Sequence, residues 1–497
     1  MSVTRRLLLK TKRFHMKSVC GLQCFSSDSA KNNILTSDVS DVDIPSVTIP
    51  EFFYSKIVDY HHLTATVCGE TGRSYTFEQL RVNSRNLSKA LRKILKLNKK
   101  DTIAILLPNL PEYPICVLGA LEAGLTITTM NPLYTSEEIC RQLLDSSAKA
   151  IITLPDLYST AKSAVLATKK LIPIISIKTK NNETVPEGAI NFNELVTAQI
   201  DIPDFEPENS EDIAVLPYSS GTTGLPKGVE LTHHNIISNI CQILHKDVSY
   251  VSPASDFLMS LLLNYWVFQR ELPRSSSSNF AYVPHIRIHS YFTSFLSLGS
   301  KLITLKKFAP DLFINILKNY STTIMFVAPP MVLFLAAHPD VKVEYLKSLK
   351  TVMSGAAPLG SLDEERFLNK AGNHVKMFQG TPLGPNQPGE LLIKGPQVMK
   401  SYHNRPEETK KAFLDGWLRT GDLMHYNENG LLYVTDRLKE LIKVKGFQVA
   451  PAELEEVIRD FPSVEDAAVI GVPIPLTVKC QELTLYPQRI KRSRPKS

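Results

Sequence analysis

The sequence predicts an α/β protein of at least two domains, and three observations carry that prediction. Its 497 residues exceed what one hydrophobic core ordinarily serves. From about residue 60 onward, strand-like and helix-like stretches alternate. Two capping boxes, Thr76-Phe77-Glu78-Gln79 and Thr135-Ser136-Glu137-Glu138, open helices inside that alternation.

The elements follow in order. The first 27 residues combine Arg, Lys and Ser with short apolar runs and no acid, the composition of a mitochondrial transit peptide or of a disordered basic tail. After the first capping box, Leu80, Leu87, Leu91 and Ile94 recur on one helical face. Thr102 to Leu107 then reads as an apolar strand stopped by Pro108, and the second box opens a helix through Leu144. Ala150 to Leu154 is a further buried strand. Lys178 to Asp212, rich in Pro, Asn and acids, reads as a surface connection holding one short helix. Ile213 to Tyr218 is a strand, a Gly-rich loop follows, and Gly228 to Thr232 returns as a strand. Far downstream, Pro451 starts a helix with an apolar face of Leu454, Val457 and Ile458, which Pro462 ends. Val464 to Val472 is then a strand, and this last pair belongs to a small separate domain. No internal repeat is visible.

Composition excludes several classes. Of 56 basic residues, six lie between Arg5 and Lys17 and five between Arg489 and Lys496, so the body carries 56 − 11 = 45 against 49 acids. A mildly acidic body argues against nucleic-acid binding. The seven cysteines form no CxxC pair, which fits a reducing compartment without structural disulfide or zinc. The longest apolar runs, Phe257 to Phe268 and Ile324 to Ala337, are too short to span a bilayer, and the second contains Pro329-Pro330. No transmembrane segment is expected.

The chemistry concentrates in Tyr218 to Val229, YSSGTTGLPKGV. Gly221 and Gly224 free the backbone to turn N–H groups toward an anion, Ser219, Ser220, Thr222 and Thr223 add hydroxyl donors, and Lys227 adds a point charge. Such a loop suits a polyphosphate. It lacks the G-x-x-x-x-G-K-[ST] spacing of a Walker A loop, and the competing reading is a flexible low-complexity surface loop.

This loop resembles the phosphate loop of the adenylate-forming superfamily. Leu106-Leu107-Pro108-Asn109, Gly119 to Pro132, Ser354 to Leu359 and Gly389-Glu390-Leu391 match that superfamily in the same order. So do Gly416 to Asp422 (GWLRTGD) and Asp436 to Phe447 (DRLKELIKVKGF). The resemblance covers roughly residues 50 to 475 and is nearest the acyl-CoA synthetase and 4-coumarate:CoA ligase-like branch. It implies a large N-terminal adenylation domain over 50–436, with mixed sheets sandwiched by helices plus a barrel-like subdomain. A small, curtailed α+β lid over 437–475 and a divergent basic tail over 476–497 would follow, with residues 1–30 as the leader.

The resemblance also implies roles. Ser219, Ser220, Gly221, Thr222, Thr223, Gly224 and Lys227 would cradle the phosphates of ATP, with Lys227 neutralising departing pyrophosphate. Asp422 resembles the carboxylate that accepts from both ribose hydroxyls. Arg437, Lys439 and Lys443 resemble further nucleotide contacts. Lys307, Lys445 and Gly446 are similar to residues that meet CoA, and Gln379 and Gly380 to residues of the acyl pocket. Mg2+ would arrive on the phosphates, with no metal ligand from the protein. The implied reaction activates a fatty or aryl carboxylic acid to acyl-AMP and then, after the lid turns about Asp436, to acyl-CoA.

Three departures accompany the match. Thr381-Pro382-Leu383-Gly384 follows Gln379-Gly380 where the family continues with Tyr-Gly-x-Thr-Glu. Arg287, within Pro284 to Ser290, stands where the family has a pocket His. The match ends near Pro473, short of the family's late adenylation lysine. The alternative they raise is a catalytically impaired nucleotide-binding variant, a splice or truncated isoform. The expected location is mitochondrial if the leader acts as a transit peptide and cytoplasmic otherwise; the chain does not end in Ser-Lys-Leu, so no peroxisomal address is expected.

Overall fold

The computed structural model describes residues 21–25, 34–35, 42–180, 182–205, 209–219, 226–244, 256–259, 293, 296–306, 308–327, 329–354, 361–372, 376–379, 389–426, 432–437, 442–444 and 447–449. The helix predicted from Pro451 and the strand Val464 to Val472 lie outside them.

Both capping boxes form. Thr76 Oγ1 accepts from the Gln79 N–H at 3.1 Å while Gln79 Oε1 accepts from the Thr76 N–H at 2.8 Å, opening the helix Phe77–Lys93. Thr135 and Glu138 do the same for Ser136–Asp145. Leu80, Leu87 and Leu91 are fully buried, each contributing about 1.5–3 kcal/mol of hydrophobic stabilisation. Ile94, expected on that face, is 53% exposed, because the helix ends at Lys93 and Ile94 only caps it. The buried face crosses the helix Tyr113–Glu122 at Gly119, where an added Cβ would lie 2.8 Å from the Ser84 carbonyl. Glycine is what lets the two helices approach so closely.

Among the described residues the strands form three large sheets. The first has nine strands, in the order Tyr218–Ser219, Lys227–Thr232, Ile213–Val215, Thr126–Thr129, Thr102–Ile105, Ala150–Thr153, Ile174–Ser176 and Ile190–Asn191, with Ser401–Tyr402 added against Lys227–Thr232. Its centre is parallel, as the alternation of helix and strand predicts. The single strand expected over Ile213 to Tyr218 is instead two, Ile213–Val215 and Tyr218–Ser219. Pro217 has no N–H to give a ladder, and its carbonyl accepts from Val229 instead. The helix Phe192–Thr197 is the one expected inside the surface connection.

The second sheet runs Lys376–Gln379, Thr351–Ser354, Ile324–Val327, Asp256–Met259, Lys301–Thr304, Thr64–Cys68 and Ser74–Thr76, parallel up to its final antiparallel pair. The third is antiparallel and stands where a barrel-like subdomain is expected: Ile34–Leu35, Gly21–Phe25, Gly389–Lys394, Trp417–Tyr426 and Phe413–Leu414, with Leu432–Arg437 also on Trp417–Tyr426. Part of the basic leader, Gly21–Phe25, therefore pairs with Gly389–Lys394.

The main core lies between the first two sheets. Ile103 and Ile127 of one and Leu302 and Ile324 of the other belong to a single buried cluster. A polar knot adds to it: Glu112, only 2% exposed, accepts from Arg73 at 2.6 and 3.0 Å and from the Tyr75 hydroxyl at 3.0 Å. A buried carboxylate is tolerable because it is paired and hydrogen-bonded in this way. Cys68, Cys116, Cys140 and Cys241 are free thiols, and no described helix is long and apolar enough to cross a membrane.

Candidate active site

The Gly-rich loop is a short excursion from a closed ladder. Ser219 and Lys227 are cross-strand partners, as are Tyr218 and Gly228, so the loop leaves and returns at adjacent points. The returning strand is also held on its other side, Val229 opposite Tyr402 and Glu230 opposite Ser401. Backbone bonds from His403 N–H to the Gly228 carbonyl and from Lys400 N–H to the Glu230 carbonyl, both 2.9 Å, complete the clamp. These bonds fix the two ends between which the loop runs.

Side chains reinforce each arm. Tyr218 Oη donates to Asp145 Oδ2 at 2.6 Å, and Arg405 Nη2 donates to Asp145 Oδ1 at 2.9 Å. Burial first, then the Asp145 carboxylate, pushes the Tyr218 phenol up, so it stays a donor. On the returning arm Glu230 accepts from the Ser401 hydroxyl and pairs with His403 Nδ1 at 2.8 Å. The hydrogen bond to His403 holds the Glu230 carboxyl below its ordinary range, and the same bond raises the His403 imidazole. Lys227 Nζ lies 5.5 Å from the centroid of the Tyr402 ring and pairs with no carboxylate among the described residues.

The electrostatic consequence favours an anion. Asp145 is paired with Arg405 and Glu230 with His403, while among the described residues no carboxylate pairs with the ammonium at the loop root. No group of three or more His, Cys, Asp or Glu among the described residues could hold a metal ion.

Other predicted positions occupy two further places. Gln379 ends the edge strand of the second sheet, in register with Ser354, at the carboxyl edge where open α/β sheets place ligands. Asp422 and Arg437 are register partners across the third sheet, and Lys443 lies in the two-stranded pair Ile442–Val444 with Phe447–Val449. Ser220, Gly221, Thr222, Thr223, Gly224, Lys307, Gly380, Lys439, Lys445 and Gly446 lie outside the described residues, as does Pro284 to Ser290.

Sequence reasoning missed Asp145, Glu230, Ser401, Tyr402, His403 and Arg405. Their contacts span 73 to 260 residues of chain, so no local spacing announces them. The one available signal was weak: Pro406, at the first turn of the helix Pro406–Ala412, marks 401–405 as a segment outside that helix.

Residues 55–381 match the family described as AMP-binding enzyme. The chain is 32% identical to 4-coumarate--CoA ligase 1 of Solanum tuberosum, over 92% of this chain and 89% of that protein. It is 34% identical to 4-coumarate:CoA ligase 1 of Petunia hybrida, over 88% and 84%. Among solved structures, ATP-bound MatB from Rhodopseudomonas palustris superposes with a TM-score of 0.72 at 22% identity, covering 86% of each chain. The anthranilate CoA ligase AuaEII in complex with anthranoyl-AMP gives 0.71 at 21%, covering 87% and 86%; these two likenesses speak to fold. With relatives aligned over nearly their whole length, the comparisons lend no support to the impaired-variant alternative. The chain belongs to the AMP-binding enzyme family, as a 4-coumarate:CoA ligase-like acid–thiol ligase of the ATP-dependent, acid-activating class.

Proposed function

We propose that the chain converts a carboxylic acid, fatty or aryl, first to its acyl-adenylate and then to its CoA thioester. The observation that carries this is the loop root, where Lys227, paired with no carboxylate among the described residues, lies on the strand that returns from the loop while Asp145 is held by Arg405 and Glu230 by His403. The substrate carboxylate attacks the α-phosphorus of ATP, and the bond to pyrophosphate breaks. Lys227 and the N–H and hydroxyl donors of Ser219 to Gly224 face the charge gathering on that leaving group. Mg2+, carried on the phosphates, supplies further charge neutralisation when bound. The CoA sulfur then attacks the acyl carbon, and AMP departs.

In the same reading Asp422 and Arg437 hold the ribose side of the nucleotide, with Lys439 and Lys443 beside it. Lys307, Lys445 and Gly446 receive CoA, and Gln379 and Gly380 line the acyl pocket. Residues 50–436 form the adenylation domain and 437–475 the lid, with the turn at Asp436. Aryl acids are the first candidates, since the relatives are named for coumarate and anthranilate ligases. The test is chromatographic detection of thioester and AMP in equal amounts from ATP, CoA and a panel of aryl and fatty acids. Acyl-AMP without thioester would cut the proposal back to its first half; neither product with any acid would sink it.

A further inference from the structure

The lysine at the loop root lies against the ring of a residue 175 positions downstream, Tyr402. Tyr402 is fixed by its neighbours before any ligand is considered. Its N–H donates to Thr409 Oγ1 at 2.9 Å, and that hydroxyl in turn donates to the Arg405 carbonyl at 2.8 Å, tying the residue to the helix Pro406–Ala412. On the other side it is the register partner of Val229, two residues beyond Lys227. The ring is half-buried on this pinned backbone, and the lysine stem, with four rotatable bonds, brings its ammonium to 5.5 Å from the ring centroid. Among the described residues no carboxylate pairs with that ammonium, and the acids bonded to the two arms of the loop have other partners, Asp145 in Arg405 and Tyr218 and Glu230 in His403 and Ser401.

We propose that Tyr402 is a positioning residue for the proposed reaction: its ring is the resting seat of the Lys227 ammonium, which exchanges the ring face for polyphosphate oxygens when ATP binds. The seat keeps the charge at the loop root, so part of the ordering that a free lysine would undergo on binding is already done. An anion outcompetes a ring quadrupole for an ammonium, so the seat does not block the exchange. The role rests on the ring face, not on the hydroxyl. The inference depends on the reading of Lys227 as a phosphate contact.

The experiment is calorimetric titration of ATP with Mg2+ into the full chain carrying Tyr402→Phe, Tyr402→Leu, Lys227→Ala and the Tyr402→Leu, Lys227→Ala double substitution. The phenylalanine variant keeps the face and binds within about twofold of wild type. The leucine variant weakens ATP roughly three- to fivefold, the range of one exposed cation–aromatic contact. In the Lys227→Ala background the leucine change has no further effect, because the ring has nothing left to seat. Under turnover the leucine change raises the KM for ATP and leaves the KM for the acid unaltered. Tyr402→Met serves as the second variant if leucine compromises folding. Additive effects in the double variant, or a phenylalanine variant as weak as leucine, overturn the seat and leave Tyr402 a packing residue. If wild-type protein itself binds no ATP, the functional reading fails, and that outcome is distinguished by its independence of Tyr402.

Discussion

Asp422 and Arg437 face each other across an antiparallel ladder, the first on Trp417–Tyr426 and the second at the end of Leu432–Arg437. A bulge lies beside it, in the ladder with Gly389–Lys394. Between the pairs Glu390–Leu423 and Leu392–Arg419, three residues, Thr420, Gly421 and Asp422, stand against Leu391 alone. Gly421 has a φ of +76°, the left-handed conformation that such a bulge places on glycine. Thr420 Oγ1 and the Gly421 N–H, bonded to the Leu391 carbonyl and to Glu390, pin it.

The bulge predicts a hierarchy of effects at this position. Asp422→Ala should abolish measurable ATP binding while leaving the melting temperature near wild type. Gly421→Ala, which meets open space but keeps the strained φ, should cost about 1–2 kcal/mol of stability and weaken ATP severalfold. Calorimetric titration and thermal melts check both.

Asp145 gathers the outgoing arm of the loop and the 401–405 segment onto one carboxylate. Asp145→Asn keeps the shape but leaves Arg405 without its charge partner, and should raise the KM for ATP about tenfold, the worth of one charge-assisted bond of about 1.5 kcal/mol. The KM for CoA should not move. Steady-state kinetics with each substrate varied in turn decide it.

His403 and Glu230 impose an alkaline limit. The imidazole is raised above its ordinary 6.5, so its contribution is complete below that value and is lost as pH climbs through the raised one. The Glu230 carboxyl is lowered from 4.5, so its contribution is present above that value and is lost only in stronger acid. Their pair should therefore stabilise the loop base between roughly pH 4.5 and 6.5 and fade at higher pH as the imidazole loses its proton, by about 1 kcal/mol. Denaturant melts of His403→Gln should show that alkaline slope flattened.

His233 acts in the opposite direction. It is 2% exposed, its Nδ1 accepts from the Ile49 N–H at 3.1 Å, and burial lowers its pKa to about 4. The unfolded chain takes up that proton first, so stability is complete above about pH 6.5 and falls as pH drops toward 4, by about 3 kcal/mol. His233→Asn, which keeps an acceptor near the Nδ1 position without a titrating ring, should reduce the acid sensitivity measured by melts between pH 7 and 4.5.

Legibility followed the range of the interaction. The capping boxes at Thr76 and Thr135 were readable because both partners sit three residues apart. The loop was readable because its glycines, hydroxyls and lysine are contiguous. The strand break at Pro217 was underread, since an apolar run does not show which N–H groups its ladder needs. The Asp145 and Tyr402 contacts were illegible, because sheet pairing across more than a hundred residues creates them and no period in the sequence encodes it.

ATP–pyrophosphate exchange with a panel of aryl and fatty carboxylates tests the central claim most directly. The account predicts exchange that depends on an added acid and disappears in Asp422→Ala. Exchange absent with every acid, in protein that still binds ATP, would contradict it.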